Sequence, residues 1–394
     1  MSTVGDGGAA LAHSAAAQIH SVRVGGASAT LSAARWLDRV TPTVPDSVVR
    51  ELAQQTWKRD IDFKGPAVYP SPSYGGVYLR DTFWTTGALP DAAFSLRMRQ
   101  QFGAQQRANG QVPSLFRRAH GPAQYNDDES TILYVLWMCR DNTRSGTPPD
   151  MPSLNSALRY LRRFDHQGYY VSDTGNSRSW LDSFKVPIVD TLSYNQGLYA
   201  AALQCAQTLR AAVTPEQVAD ARQAYGALYR PYLHFIPLGR RQTATDASAL
   251  VGEFVSLWLF NRPLLSDTAV LSTLAHLSVT PVGYKVVASF SGEYLSPDRF
   301  FVTRPSGDYQ NGATWLLYDY MALATGYLHG WTQARTLMNR RLALDLADGY
   351  LFSEYRCTNP SLACYTNADP NRQYTAWNTF VLVVNEVVAR SRRR

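Results

Sequence analysis

A chain of 394 residues with 45% hydrophobic and 18% charged side chains can bury a large apolar core and is too apolar to be disordered throughout. Its 38 basic residues outnumber 31 acidic ones for a formal charge of +7, but they are dispersed. The dense run Ser391-Arg392-Arg393-Arg394 reads as a solvated tail, so no nucleic-acid surface is expected.

Residues 1–35, rich in Ala, Ser and Gly, lack the basic start and dense apolar block of a signal peptide and read as a loosely ordered arm. From 36 to 390 no linker, charge block or repeat divides the sequence, which predicts a single domain before the tail at 391–394. A Gly- and Pro-rich loop over about 59–80 runs into Tyr78-Leu79-Arg80-Asp81-Thr82-Phe83-Trp84, with Asp81 placed as a helix cap. The next loop, about 109–124, leads to Tyr125-Asn126-Asp127-Asp128-Glu129-Ser130 and an apolar helix through Ile132, Leu133, Val135 and Leu136. A loop over about 165–192 carries Trp180 and Asp182. After it, Tyr194, Leu198, Ala201, Cys205 and Leu209 draw one helical stripe.

Thr214-Pro215-Glu216-Gln217 opens a further helix with a capping hydroxyl, a proline at the first helical position and a Gln three residues after the cap. Leu250, Phe254, Leu257 and Trp258 form another stripe. A loop at about 277–310 precedes the stripe Leu316, Leu317, Tyr320, Met321, Ala324 and Leu328. The last long loop, about 347–373, holds Glu354. About a dozen helices, few strands, and short connections alternating with long ones predict an all-α chain. Its antiparallel hairpins would form a toroid whose long loops gather on one rim.

No run approaches the roughly 20 apolar residues of a membrane span. Cys139 and Cys205 fall within helical patterns and read as buried thiols, whereas Cys357 and Cys364 share a loop and can close a small bridge. The expected compartment is the cytoplasm, with export left open by that bridge. The seven histidines never pair closely with an acid or cysteine, and phosphate-loop, dinucleotide and nucleophile-elbow patterns are lacking. No cofactor or metal is therefore expected.

Carboxylates among aromatics remain, and their chemistry suits sugars. Pyranose C–H faces stack on Trp and Tyr, hydroxyls bond to Asp, Gln and Arg, and two carboxyl groups cut a glycosidic bond. Asp81 either caps its helix or, with Arg80, grips hydroxyls beside a wall of Phe83 or Trp84. The acids at 127–129 favour a helix N-terminus whatever the protein does. Asp182, between Trp180 and Phe184, has a setting that raises a carboxyl toward a proton donor. Glu354 lies outside the helices, and Arg356 nearby would keep it ionised as a base requires.

In order along the chain, these segments resemble the (α/α)6 six-hairpin glycosidases. The glucosidase part of glycogen debranching enzymes is one such family; processing α-glucosidases, glucosylglycerate and mannosylglycerate hydrolases, trehalases and neutral invertases are its relatives. Leu79-Arg80-Asp81-Thr82-Phe83 looks like the sugar-subsite Arg-Asp-Thr-Phe motif, and Asn109-Gly110-Gln111-Val112-Pro113 looks like the loop that follows it. Tyr125-Asn126 with Asp127 and Asp128 is similar to the Tyr-Asn-x-x-Asp segment. Ser179-Trp180-Leu181-Asp182 resembles the Thr-Trp-Met-Asp motif of the general acid, and Ser353-Glu354-Tyr355 the motif of the general base. Tyr309-Gln310-Asn311-Gly312-Ala313-Thr314-Trp315 looks like the turn into a late helix.

The resemblance implies an inverting glycoside hydrolase in an (α/α)6 barrel, with Asp182 as acid and Glu354 as base. Its carbohydrate contacts would be Arg80, Asp81, Phe83, Trp84, Tyr125, Asp128, Trp180, Tyr309, Gln310 and Trp315. Glu293 and Asp308 stand as other candidates for the base. A sugar 2-epimerase, which would place paired histidines in the pocket, and a non-catalytic glycan-binding protein are the alternatives.

Overall fold

The computed structural model describes residues 44–71, 74–117, 121–171, 179–185, 189–301, 304–366 and 375–391, with the backbone of a hairpin at 20–24 and 27–31. The rest of the arm expected at 1–35, and residues 392–394 of the basic tail, lie outside the described residues. Within the arm, His20 pairs with Leu31 and Val24 with Ala27 in an antiparallel ladder.

The chain is mainly helical. Its helices are α1 (Asp46–Asp60), α2 (Leu79–Ala88), α3 (Ala92–Gly103), α4 (Glu129–Ser145), α5 (Met151–Leu161), α6 (Ser193–Thr208) and α7 (Pro215–Gly226). They continue with α8 (Val251–Phe260), α9 (Asp267–His276), α10 (Leu316–Leu328), α11 (Ala334–Ala347), the short α12 (Ala363–Thr366) and α13 (Val381–Ser391). None is long and apolar enough to cross a membrane.

Burial separates two classes. Helix α4 is buried at every residue from Glu129 to Asp141, α6 from Ser193 to Ala206 and α10 from Leu316 to Gly326. A helix covered on all sides must lie inside the fold. By contrast, α7 buries only Ala221, Ala224 and Tyr225. The inner helices meet in sequence: α2 packs on α4, α4 on α6, α6 on α8, α8 on α10, α10 on α13, and α13 with its 3₁₀ lead-in Ala376–Phe380 returns to α2. The outer helices alternate with them. Helix α3 covers α2 and α4, α5 covers α4, α7 covers α6, and α9 and α11 cover α10.

Local chemistry sets these elements. The expected capping box at Thr214 is formed, with Thr214 and Gln217 exchanging side-chain and backbone bonds. Helix α4 stops at Gly146, whose φ of 65° lies in the left-handed region. Helices α6 and α8 touch through Gly197 and Gly252, where a Cβ on Gly252 would stand 2.0 Å from the Gly197 carbonyl carbon. Any side chain there would force the two helices apart.

Inside, Arg140 is buried and donates to the Phe83 carbonyl, Thr86, Ser95 and Asp141, while Arg99 reaches the other Asp141 oxygen at 2.8 Å. This network joins α2, α3 and α4. Short two- and three-stranded ladders tie the long loops together, including Gly76–Tyr78 on Leu115–Arg117 and Thr245–Asp246 on Val287–Ala288. Cys357 and Cys364 form a disulfide, the bridge left open by the sequence.

Candidate active site

The loop 179–185 enters just before α6, and it is anchored by its aromatics. The Trp180 indole donates to Ser248 at 2.8 Å, Ser248 donates to Asp246 at 2.6 Å, and the ring packs on Trp315 (5.3 Å) and Tyr318 (4.3 Å). Gln310, fully buried, holds the same loop with four bonds. Its Nε2 donates to the Trp180 carbonyl at 2.7 Å and to Asp182 Oδ1 at 2.9 Å; its Oε1 accepts from the Ser183 backbone N and Oγ at 3.0 and 2.6 Å.

Asp182 itself is exposed, whereas Trp180, Leu181 and Phe184 face inward. The aromatic setting expected to enclose Asp182 is thus a foundation for its loop rather than a cage around its carboxyl. Residues 181–184 form a turn closed by Phe184 N on the Leu181 carbonyl at 3.2 Å, with Asp182 at its outer corner, so adjacency in sequence does not become contact in space.

Glu354 is positioned by a different device. Phe352 has a φ of 63°, which turns the chain after α11, and Arg356 then bridges Thr314 through bonds of 2.8 and 2.9 Å. Asn378 donates to the Ser353 carbonyl at 2.7 Å, and Thr375 N to the Phe352 carbonyl at 2.6 Å. These contacts pin both sides of Glu354. The carboxylate is 7% exposed and accepts from the Tyr74 hydroxyl at 2.8 Å. Arg356, expected as its partner, instead pairs with Asp348 at 2.7 Å and Asp345 at 3.6 Å. Those acids belong to the end of α11, and the same Asp345 pairs with Arg341, which also bonds Asp319 of α10.

The two carboxylates act on the same tyrosines. Burial pushes the Tyr309 phenol well above its ordinary range, and the charges of Asp182 and Glu354 push it in the same direction. Tyr78 is raised by burial, then by Asp81, and both Asp182 and Glu354 add to the effect. Groups far apart in sequence therefore converge on one place.

Beside them lies an acidic clasp around Arg80, whose guanidinium is 3.4 Å from Glu129 and 3.9 Å from Asp81. Burial raises Asp81 to about 6 and Glu129 to about 7, with Arg80 opposing both shifts. Tyr194 secures Glu129 by a 2.6 Å bond, and Asp182 is felt by Asp81, Arg80 and Asp127. Trp315, Tyr309 and Tyr355 pack with ring centroids 5.2 to 5.7 Å apart.

Several expected contacts stand elsewhere. Phe83 and Trp84 are wholly buried, Phe83 against Trp137 and Trp258 and Trp84 against Phe380, so they belong to the core and cannot form a sugar-facing wall. Asp128 is also fully buried and accepts from Tyr160 of α5 at 2.6 Å. Its neighbours Asp127, which lies before the helix, and Glu129 in its first turn both feel the Arg80 charge instead. Tyr125 donates to the Gln105 carbonyl and lies under Arg107, 3.6 Å from its ring centroid, which ties it to the loop after α3.

Sequence reasoning singles out neither Tyr78, Glu129 nor Tyr194 as site residues. The charge pattern at 127–129 is the available signal, but helix-dipole stabilisation gives it an equal explanation.

Of the other base candidates, Glu293 is exposed in a turn after Ser289. Asp308 accepts from Tyr355 at 2.9 Å and pairs with Arg304 at 3.7 Å. Three of the described histidines have other partners. His234 stacks near His276, and His329 bonds Glu253 and Asp267.

The sequence matches no family model and no curated protein. Its fold, however, is shared with solved glycosidases. One is a wild-type glycosidase at 15% identity and TM-score 0.59, the likeness covering 87% of this chain and 97% of that one. A second is an uncharacterised conserved protein from Thermus thermophilus, at 15% identity and TM-score 0.61 over 86% and 100% of the two chains. A third is the GH63 mannosylglycerate hydrolase from the same organism in complex with glucose, at 13% identity and TM-score 0.55, again over 86% and 100%. The chain therefore has a mainly helical fold that it shares with solved glycosidases.

Proposed function

We propose that this protein is an inverting, exo-acting glycoside hydrolase, built as an (α/α)6 barrel, that cleaves a small α-glucoside-like substrate. The circuit of inner helices, with an outer helix between successive members, supports the barrel. The observation that carries the function is the convergence of Asp182 and Glu354 on Tyr309 and Tyr78. Two carboxylates from separate loops, with tryptophan and tyrosine between them, are the equipment for acid–base cleavage of a glycoside.

In this reading Asp182 protonates the departing oxygen. Its exposure lets it meet the aglycone, and the Gln310 bond fixes which oxygen carries the proton. Glu354 takes a proton from a water on the opposite ring face, while Tyr74 stabilises the carboxylate form that a base needs. Arg80, Asp81, Asp127 and Glu129 bind sugar hydroxyls, with Tyr309, Trp315 and Tyr355 along the apolar ring face; Trp180 and Gln310 hold the acid loop. Inversion requires the two carboxyl groups to stand roughly 6.5–9.5 Å apart. A rim closed by long loops favours attack at a chain end.

The test is a screen of glucosides, mannosides, trehalose and sucrose with the wild type, Asp182→Asn and Glu354→Gln. Hydrolysis by the wild type that both substitutions reduce by at least about 10³-fold, in variants with unchanged melting, supports the assignment. Activity retained in both variants refutes it.

A further inference from the structure

Helices α4 and α6 start side by side, where the Tyr194 hydroxyl of α6 bonds Glu129 of α4 at 2.6 Å. Cys139 lies ten residues along α4 from that contact and Cys205 eleven along α6, a descent of about 15 Å on each at 1.5 Å per residue. The two helices thus reach the same depth at the same register. The Cys205 sulfur stands 3.4 Å from the Val135 carbonyl, one turn before Cys139, the place over which the Cys139 side chain leans. Both residues are buried. Neither forms a disulfide in this structure.

We propose that Cys139 and Cys205 are a site of oxidative pairing, forming a second disulfide that rivets α4 to α6 within the core. The Tyr194–Glu129 bond would then fix the register of these helices at one end and the disulfide would fix it about 15 Å further down. With Cys357–Cys364 already bonded, every cysteine of the chain would be paired. That pattern suits folding in an oxidising compartment rather than the cytoplasm expected from sequence.

The chemistry balances with a disulfide oxidant such as oxidised glutathione. Each exchange leaves one reduced thiol equivalent on glutathione, so two protein thiols and one oxidised glutathione give one protein disulfide and two reduced glutathiones. The step takes place before the core closes, because the finished fold buries both sulfurs.

Full-length protein folded with oxidised glutathione would be denatured without reductant, treated with iodoacetamide, digested and mapped by mass spectrometry. The expected result is a linked pair of peptides containing Cys139 and Cys205, with alkylation of neither. Cys139→Ser should leave Cys205 fully alkylated and lower the melting temperature by several degrees relative to the oxidised wild type. Alkylation of both Cys139 and Cys205 in a sample whose Cys357 and Cys364 remain linked would overturn the proposal. The peptide map reads bonding directly, so its outcome is independent of whether the protein cleaves glycosides.

Discussion

Replacing Gln310 by methionine nearly preserves side-chain volume but removes every polar contact the amide makes. Four bonds are lost: Trp180 O, Asp182 Oδ1, Ser183 N and Ser183 Oγ, at 2.6 to 3.0 Å. At about 0.5–1.5 kcal/mol each, and with the site fully buried, the loss of stability should be about 2–6 kcal/mol. That is small enough for a protein of this size to stay folded at 25 °C.

The effect on turnover should be larger than on affinity, because Gln310 touches the proposed acid and not the proposed sugar-stacking rings. A misplaced acid typically costs about 10²-fold, equivalent to about 2.7 kcal/mol of transition-state stabilisation. Steady-state kinetics on the substrate found by the screen, with circular dichroism to confirm folding, would read both effects. A folded Gln310→Met enzyme with kcat within about threefold of wild type would refute the claim that this amide positions Asp182.

Other perturbations test other parts of the structure. Tyr74→Phe removes a hydrogen bond to a carboxylate, so kcat should fall roughly 10- to 100-fold with little change in melting temperature; an unchanged kcat would separate Tyr74 from the base. Asp141→Ala strands the buried Arg99 and Arg140 and should cost about 3–5 kcal/mol in chemical denaturation, whereas a loss under about 1 kcal/mol would contradict the network. For His329, burial opposes its charge, but hydrogen bonds to Glu253 (2.9 Å) and Asp267 (2.7 Å) outweigh it and raise its pKa above 6.5. Its stabilisation is therefore full below pH 6.5 and fades as pH rises through the folded value. His329→Gln should lower stability by about 2 kcal/mol at about pH 5.5 and by less at about pH 9, and a deficit that grows with pH would reverse that sign.

Periodicity makes the helices legible in sequence, since stripes such as Leu316–Leu328 mark a buried face regardless of what covers it. The capping box at Thr214 is equally visible because both partners lie within one turn. Segments carrying Asp182 and Glu354 stand out by their residue types and order. Their environments are not legible, because those depend on contacts between distant segments. Tyr74 meets Glu354, Gln310 meets Asp182, and Arg356 turns to Asp345 and Asp348. Phe83 and Trp84 illustrate the same limit. An aromatic pair beside a sugar-binding motif looks identical in sequence whether it lines a pocket or fills a core. The packing of α2 against α4, α8 and the 3₁₀ turn Ala376–Phe380 decides for the core.

The most direct test of the two-carboxylate account is the anomeric configuration of the first sugar released, followed by proton NMR before mutarotation sets in. An α-glucoside should yield β-glucose first, because Glu354 activates water on the face opposite the group that Asp182 protonates. Initial release of α-glucose would mean retention, and would contradict the proposed roles of Asp182 and Glu354.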